Sequence, residues 1–143
     1  FAYLSKQIAA SQKDCRENLQ AVTASEAAEV MHELRKSVKT LWYQLSLVHT
    51  IWPAVVGASV HQLDLLAEKL GRDHDLHELT EFLLRMEMES PGMVPEGLVN
   101  HLIKKRKQLR KPILTQSARL FAEKPSHLAR RLEGYYAVFS RQG

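Results

Sequence analysis

The chain has 143 residues, 45% of them apolar, with eleven Gly and Pro positions and a net charge of +4. That length supports a single domain, residues 1–143, with a real hydrophobic core, and the composition excludes disordered and collagen-like chains. No apolar run approaches the roughly 18 residues of a membrane span.

One cysteine, Cys15, excludes an internal disulfide and fits a reducing, cytoplasmic setting. No charged-then-apolar leader opens the sequence, and Phe1 in place of Met implies a natural start further upstream. The charge is unevenly spread. Residues 1–90 hold 9 Lys/Arg against 13 Asp/Glu, whereas residues 91–143 hold 11 against 3, a local balance of +8. A basic C-terminal third points to a polyanionic partner: nucleic acid, acidic lipid or a phosphate polymer.

No stretch alternates apolar and polar residues long enough for a strand, so every element is predicted helical. The first helix runs from about Phe1 to Val22, with Tyr3 or Leu4, Ile8, Cys15, Leu19 and Val22 at helical spacing. Thr23 and Glu26 have the form of a capping box that starts the second helix. Within Glu29–His49, Leu34, Val38, Leu41, Leu45 and Val48 share one face. His32, Arg35, Lys36, Lys39 and Tyr43 share the opposite one. Like charges at these spacings cost an isolated helix a few tenths of a kcal/mol per pair, so the face is either solvated or set up for an anion.

Pro53 ends the second helix near Trp52 and sits in the first turn of a third. Val60, Leu63, Leu66, Ala67 and Leu70 form its apolar face, and Gly71 is expected as a left-handed cap. Asp73 is expected to cap a fourth helix, with Leu76, Leu79, Leu83 and Met86 inward. After a turn at Ser90-Pro91-Gly92, Pro95 and Glu96 open a long helix along Leu98, Leu102, Leu109, Ile113 and Leu120. Pro112 is expected to kink or break it. Pro125 starts a last helix with Leu128, Leu132, Tyr135 or Tyr136, and Phe139 inward. The fold class is therefore all-α: an antiparallel helical bundle of about six helices with short turns.

The motifs for chemistry mostly fail on counting. Glu29-Val30-Met31-His32 has the spacing of carboxylate-bridged di-iron bundles, but no second Glu-x-x-His exists. His74-Asp75 is the dipeptide of metal-dependent phosphohydrolases, yet no aspartate follows Asp75 to complete such a site. His74 and His77 at i, i+3 are more readily structural or solvated histidines than ligands. There is no nucleophile motif and no glycine-rich phosphate loop. The expectation is a non-enzyme without metal or cofactor.

The basic residues form a stronger signal. Lys104, Lys105, Arg106, Lys107, Arg110 and Lys111 cluster on the long helix, and Arg119, Lys124, Arg130 and Arg131 follow. Arg holds phosphate with paired hydrogen bonds and Lys acts as a mobile point charge. Few aromatics interleave with them, so stacking on bases is weakly supported.

Three stretches together resemble one family: His32-Glu33-Leu34-Arg35-Lys36-Ser37-Val38-Lys39-Thr40-Leu41-Trp42-Tyr43, Leu70-Gly71-Arg72-Asp73-His74-Asp75-Leu76, and Arg119-Leu120-Phe121-Ala122-Glu123-Lys124-Pro125. They resemble the CHAD family, the conserved histidine α-helical domain, in order and spacing and over nearly the whole chain. The resemblance implies two similar helical bundles around a basic channel that binds inorganic polyphosphate, standing alone or following a triphosphate tunnel domain of the CYTH type. It assigns anion binding to His32, Arg35, Lys36, Lys39, Arg106, Arg110, Arg119 and Lys124, which Lys105 joins from the dense cluster. It also implies that this chain is the C-terminal half of a full-length member. A missing N-terminal bundle or a homo-oligomer would then complete the channel. The expected function is non-enzymatic polyphosphate binding. The alternatives are general binding of nucleic acid or acidic lipid, or service as an accessory module to a CYTH-type triphosphatase.

Overall fold

The computed structural model describes residues 1–143 and is entirely helical. Its elements are α1 (Ala2–Ala24), α2 (Ala28–Val48), a 3-10 turn at His49–Ile51, α3 (Pro53–Glu89), α4 (Leu98–Leu120) and α5 (Pro125–Gln142). Each helix packs on the next from α1 to α4. α1 also meets α4, which closes a four-helix bundle, and α5 lies along α1. No helix is long and apolar enough to cross a membrane.

The core follows from the helical periodicity. Ile8, Cys15 and Val22 of α1 meet Leu34, Val38, Leu41 and Leu45 of α2, Leu63, Leu66 and Leu70 of α3, and Ile113 of α4 in one buried cluster. Leu128 and Leu132 attach α5 to it. Full burial of side chains of this size contributes about 1.5–3 kcal/mol each. At the positions left open between two residues, Leu4 packs on the core while Tyr3 is exposed, and Tyr135 packs on it while Tyr136 is exposed.

There are five helices rather than six. The expected break at Gly71–Asp73 does not occur, and the third and fourth predicted helices are one helix of 37 residues. Positive φ is confined to Gly92 and Gly97, so Gly71 is no left-handed cap. A glycine in a helix interior costs about 1 kcal/mol relative to alanine. Burial of Leu66 and Leu70 before it and of Asp73 after it outweighs that cost. Asp73 does not cap a helix either: it is 4% exposed and binds α4 through its side chain.

The Thr23–Glu26 capping box is also absent. α1 continues to Ala24, the Thr23 hydroxyl donates back to the Gln20 carbonyl at 2.7 Å, and Ser25 Oγ accepts from the Ala27 N–H at 3.1 Å. α4 begins at Leu98, after Gly97 at φ +80, and runs through Pro112 without a break. Pro112 and Gln108, the residue whose carbonyl its missing N–H leaves free, both lie on the exposed flank of α4, where that carbonyl is not sealed in the core. Leu79 and Phe139, expected inward, are 44% and 43% exposed.

Side chains from α1 fasten the α4–α5 turn. Gln12 Nε2 donates to the Glu123 carbonyl at 3.1 Å, and Arg16 donates to the carbonyls of Phe121 and Ala122. Arg131 binds the Glu123 carboxylate at two points, 3.0 and 2.8 Å. The Gln12 and Arg16 bonds satisfy backbone carbonyls of the turn that follows α4, and the Arg131 pair braces the same turn from α5.

Candidate functional site

The outward face of α2 begins near its N-terminus, where α3 lies alongside. His32 points towards α3, and its ring stacks on His74 with centroids 5.2 Å apart and planes 29° from parallel. Arg35 is next on the flank of α2 that faces α3 and is half-buried. The Nδ1 atom of His32 and the Nε atom of Arg35 are both buried without a hydrogen-bond partner. Trp42 Nε1, Gln44 Oε1 and Ser117 Oγ are unpaired in the same way elsewhere, so what sets the His32 and Arg35 atoms apart is their position one turn apart in the wall of one cavity.

α3 presents Asp73, His77 and Thr80 at i, i+4 and i+7 on one face. α4 completes the site with Arg106. Its Nε donates to Asp73 Oδ1 at 2.9 Å and its Nη2 to Oδ2 at 3.4 Å, while Nη1 lies 3.4 Å from His77 Nδ1. One small cavity is lined by His32, Arg35, Asp73, His74, His77 and Arg106, floored by Met31 and Leu70. An adjoining cleft runs from it between the α1–α2 turn and α4, lined by Glu26, Thr80, Ile103, Lys107 and Arg110. The arrangement offers imidazole, guanidinium and ammonium donors to an anion. No group of three or more His, Cys, Asp or Glu side chains is placed to hold a metal ion.

The residues expected from sequence divide into three groups. His32, Arg35 and Arg106 line the cavity together, and Arg110 stands in the cleft beside it. Their convergence runs through α3, because α2 and α4 make no close backbone contact. Arg110 also donates to the Val22 carbonyl at the end of α1, so part of its hydrogen-bonding capacity is spent inside the protein.

Lys36 and Lys39 lie further out on α2. Lys36 pairs with Glu33 at 2.7 Å across an exposed turn, a contact worth little in water. Lys39 is exposed and has no ion pair.

Lys105 and Arg119 project from the other flank of α4, roughly 100–140° around the helix from Arg106. Lys105 shares a shallow groove with Arg72 and Asp75, and Arg119 shares another with Lys69 and Lys111. Lys124 is the exposed residue before α5. The nine basic positions therefore do not line a single groove.

The sequence reading missed Asp73 and His77 as members of the site. Their i, i+4 spacing was a usable signal, but the expected helix break at Gly71 turned Asp73 into a cap.

The CHAD domain family model matches residues 1–84. The match covers α1, α2 and most of α3 with the first two motifs, and ends before the basic helix α4 and the Arg119–Pro125 stretch. No curated protein and no solved structure matches the chain.

Proposed function

We propose that this chain, which belongs to the CHAD domain family, binds inorganic polyphosphate and does not hydrolyse it. The observation that carries this reading is the cleft of about 130 Å³ in which Arg106, Lys107 and Arg110 of α4 face His77 of α3, adjoining the smaller cavity, about 10 Å³, where His32 and Arg35 of α2 meet Arg106. That smaller cavity has room for little more than a water, so His32 Nδ1 and Arg35 Nε would reach a phosphate in the cleft through one.

A linear phosphate polymer carries about one negative charge per unit, so each contact with a fixed cation releases counterions, as it does along nucleic acid. A chain held at the cavity and cleft by His32, Arg35, Arg106 and Arg110 reaches Lys36 and Lys39 in one direction along α2. Lys105, Arg119 and Lys124 lie on other flanks and act only on polymers long enough to wrap α4. The site offers donors and cations, and the sequence carries no nucleophile motif or glycine-rich phosphate loop, which is why the reading is binding and not turnover.

Competition tests it. Polyphosphate is expected to displace labelled single-stranded DNA at a far lower phosphate concentration than DNA displaces labelled polyphosphate. Equal potency would make the protein a general polyanion binder. Phosphate release should stay at the blank rate with magnesium or manganese. Turnover that survives repurification and disappears in His74→Ala or Asp75→Asn would overturn the non-enzymatic reading.

A further inference from the structure

Asp73 is an acidic residue in the wall of a basic cavity. Its side chain is 5% exposed, and both carboxylate oxygens are held by Arg106. A buried pair of this kind is poor evidence for stability as such, because apolar residues of the same volume often serve as well. Its effect on the cavity is more direct. Two of the five N–H donors of Arg106 are already committed to a carboxylate, and a third faces His77. The Arg106 charge is balanced before any ligand arrives, and the balancing anion lines both the cavity and the adjoining cleft.

We propose that Asp73 is the internal counter-anion of the site, a positioning residue that acts through Arg106 and limits how tightly phosphate is held. This rests on the phosphate-binding reading above. Without the Asp73–Arg106 contact, a flexible arginine would be free to fold over a phosphate and clamp it with two hydrogen bonds. With it, Arg106 stays in the wall and offers only its remaining N–H groups. The carboxylate meanwhile opposes the negative charge of the incoming chain. Net attraction is then left to Arg35, to Arg110 and Lys107 in the cleft, and to the lysines beyond it, so binding stays salt-sensitive and reversible.

Tripolyphosphate and long-chain polyphosphate are the probes, with affinity measured by calorimetry at two salt concentrations. Asp73→Asn keeps the shape and one acceptor but removes the charge. It should bind tripolyphosphate about tenfold more tightly, with a salt slope steeper by about one unit. A purely structural Asp73 predicts the opposite, weaker binding alongside a lower melting temperature.

A second measurement uses the wild-type protein and so does not depend on the variant folding. In nitrogen-15 spectra at saturating tripolyphosphate, the Arg106 Nε–H signal should stay in place while that of Arg35 moves. An Arg106 signal that shifts as far as that of Arg35, or a folded Asp73→Asn protein with unchanged or weaker affinity, overturns the proposal. Absence of binding by wild type and variant alike overturns the phosphate reading and this inference with it.

Discussion

The ring of His32 on α2 stacks on the ring of His74 on α3, 5.2 Å between centroids, and ties the start of the basic face of α2 to the middle of the longest helix. Because the two rings share one surface, their contributions to ligand binding should not add. His32→Ala and His74→Ala are each expected to weaken polyphosphate binding by about three- to tenfold, and the double variant little more than the worse single one. A double-mutant cycle by fluorescence titration measures this. Fully additive losses would mean that the rings act at separate places.

Polymer length should separate the cavity from the outer cations. Arg35→Glu should weaken tripolyphosphate and long chains alike, and reduce the salt slope by about one unit. Lys105→Glu and Arg119→Glu should leave tripolyphosphate binding unchanged but weaken binding of long chains. Lys6 and Arg85, which line none of these surfaces, are suitable controls. Lys69 is not, since it shares a groove with Arg119. Equal small losses at every lysine and arginine would indicate a diffuse basic surface.

Gly71→Ala tests the continuity of α3. A Cβ built at Gly71 meets nothing within 4 Å, and the backbone there is helical. The substitution should raise stability by about 0.5–1 kcal/mol, seen as a higher melting temperature. A left-handed cap at this position would make the same change destabilising.

Cys15 gives a pH-dependent signature. Burial pushes its thiol up from an ordinary 9.0 to about 12, with the Ser37 hydrogen bond opposing part of the rise. The unfolded thiol ionises first as pH rises. The stabilising contribution is therefore complete below about pH 9 and is lost progressively towards pH 12. Denaturant titrations should show a steeper alkaline loss of stability for wild type than for Cys15→Ala, whatever their absolute difference. Alkylation of the native thiol at neutral pH should be slow and should accelerate on unfolding.

The one-dimensional pattern was sufficient for the all-helical class and for most of the core. Leu34, Val38, Leu41 and Leu45 recur with the helical period, and a helix buries such a stripe wherever it packs. Pro53 and Pro125 marked helix starts because the fixed φ of proline and its missing N–H act locally. The basic faces were legible for the same reason, since charge is a property of the residue and its place on the wheel. The Gly71 break was not decided locally. A capping preference of about 1 kcal/mol yields to the burial of Leu66, Leu70 and Asp73 on a continuous α3, and only the tertiary packing sets that balance. The same packing chose which cations converge. Arg106 and Lys105 are neighbours in sequence with the same charge, yet one turns into a buried carboxylate beside His77 and the other into an open groove. That division depends on where α3 lies against α2 and α4, through contacts between residues far apart in the chain.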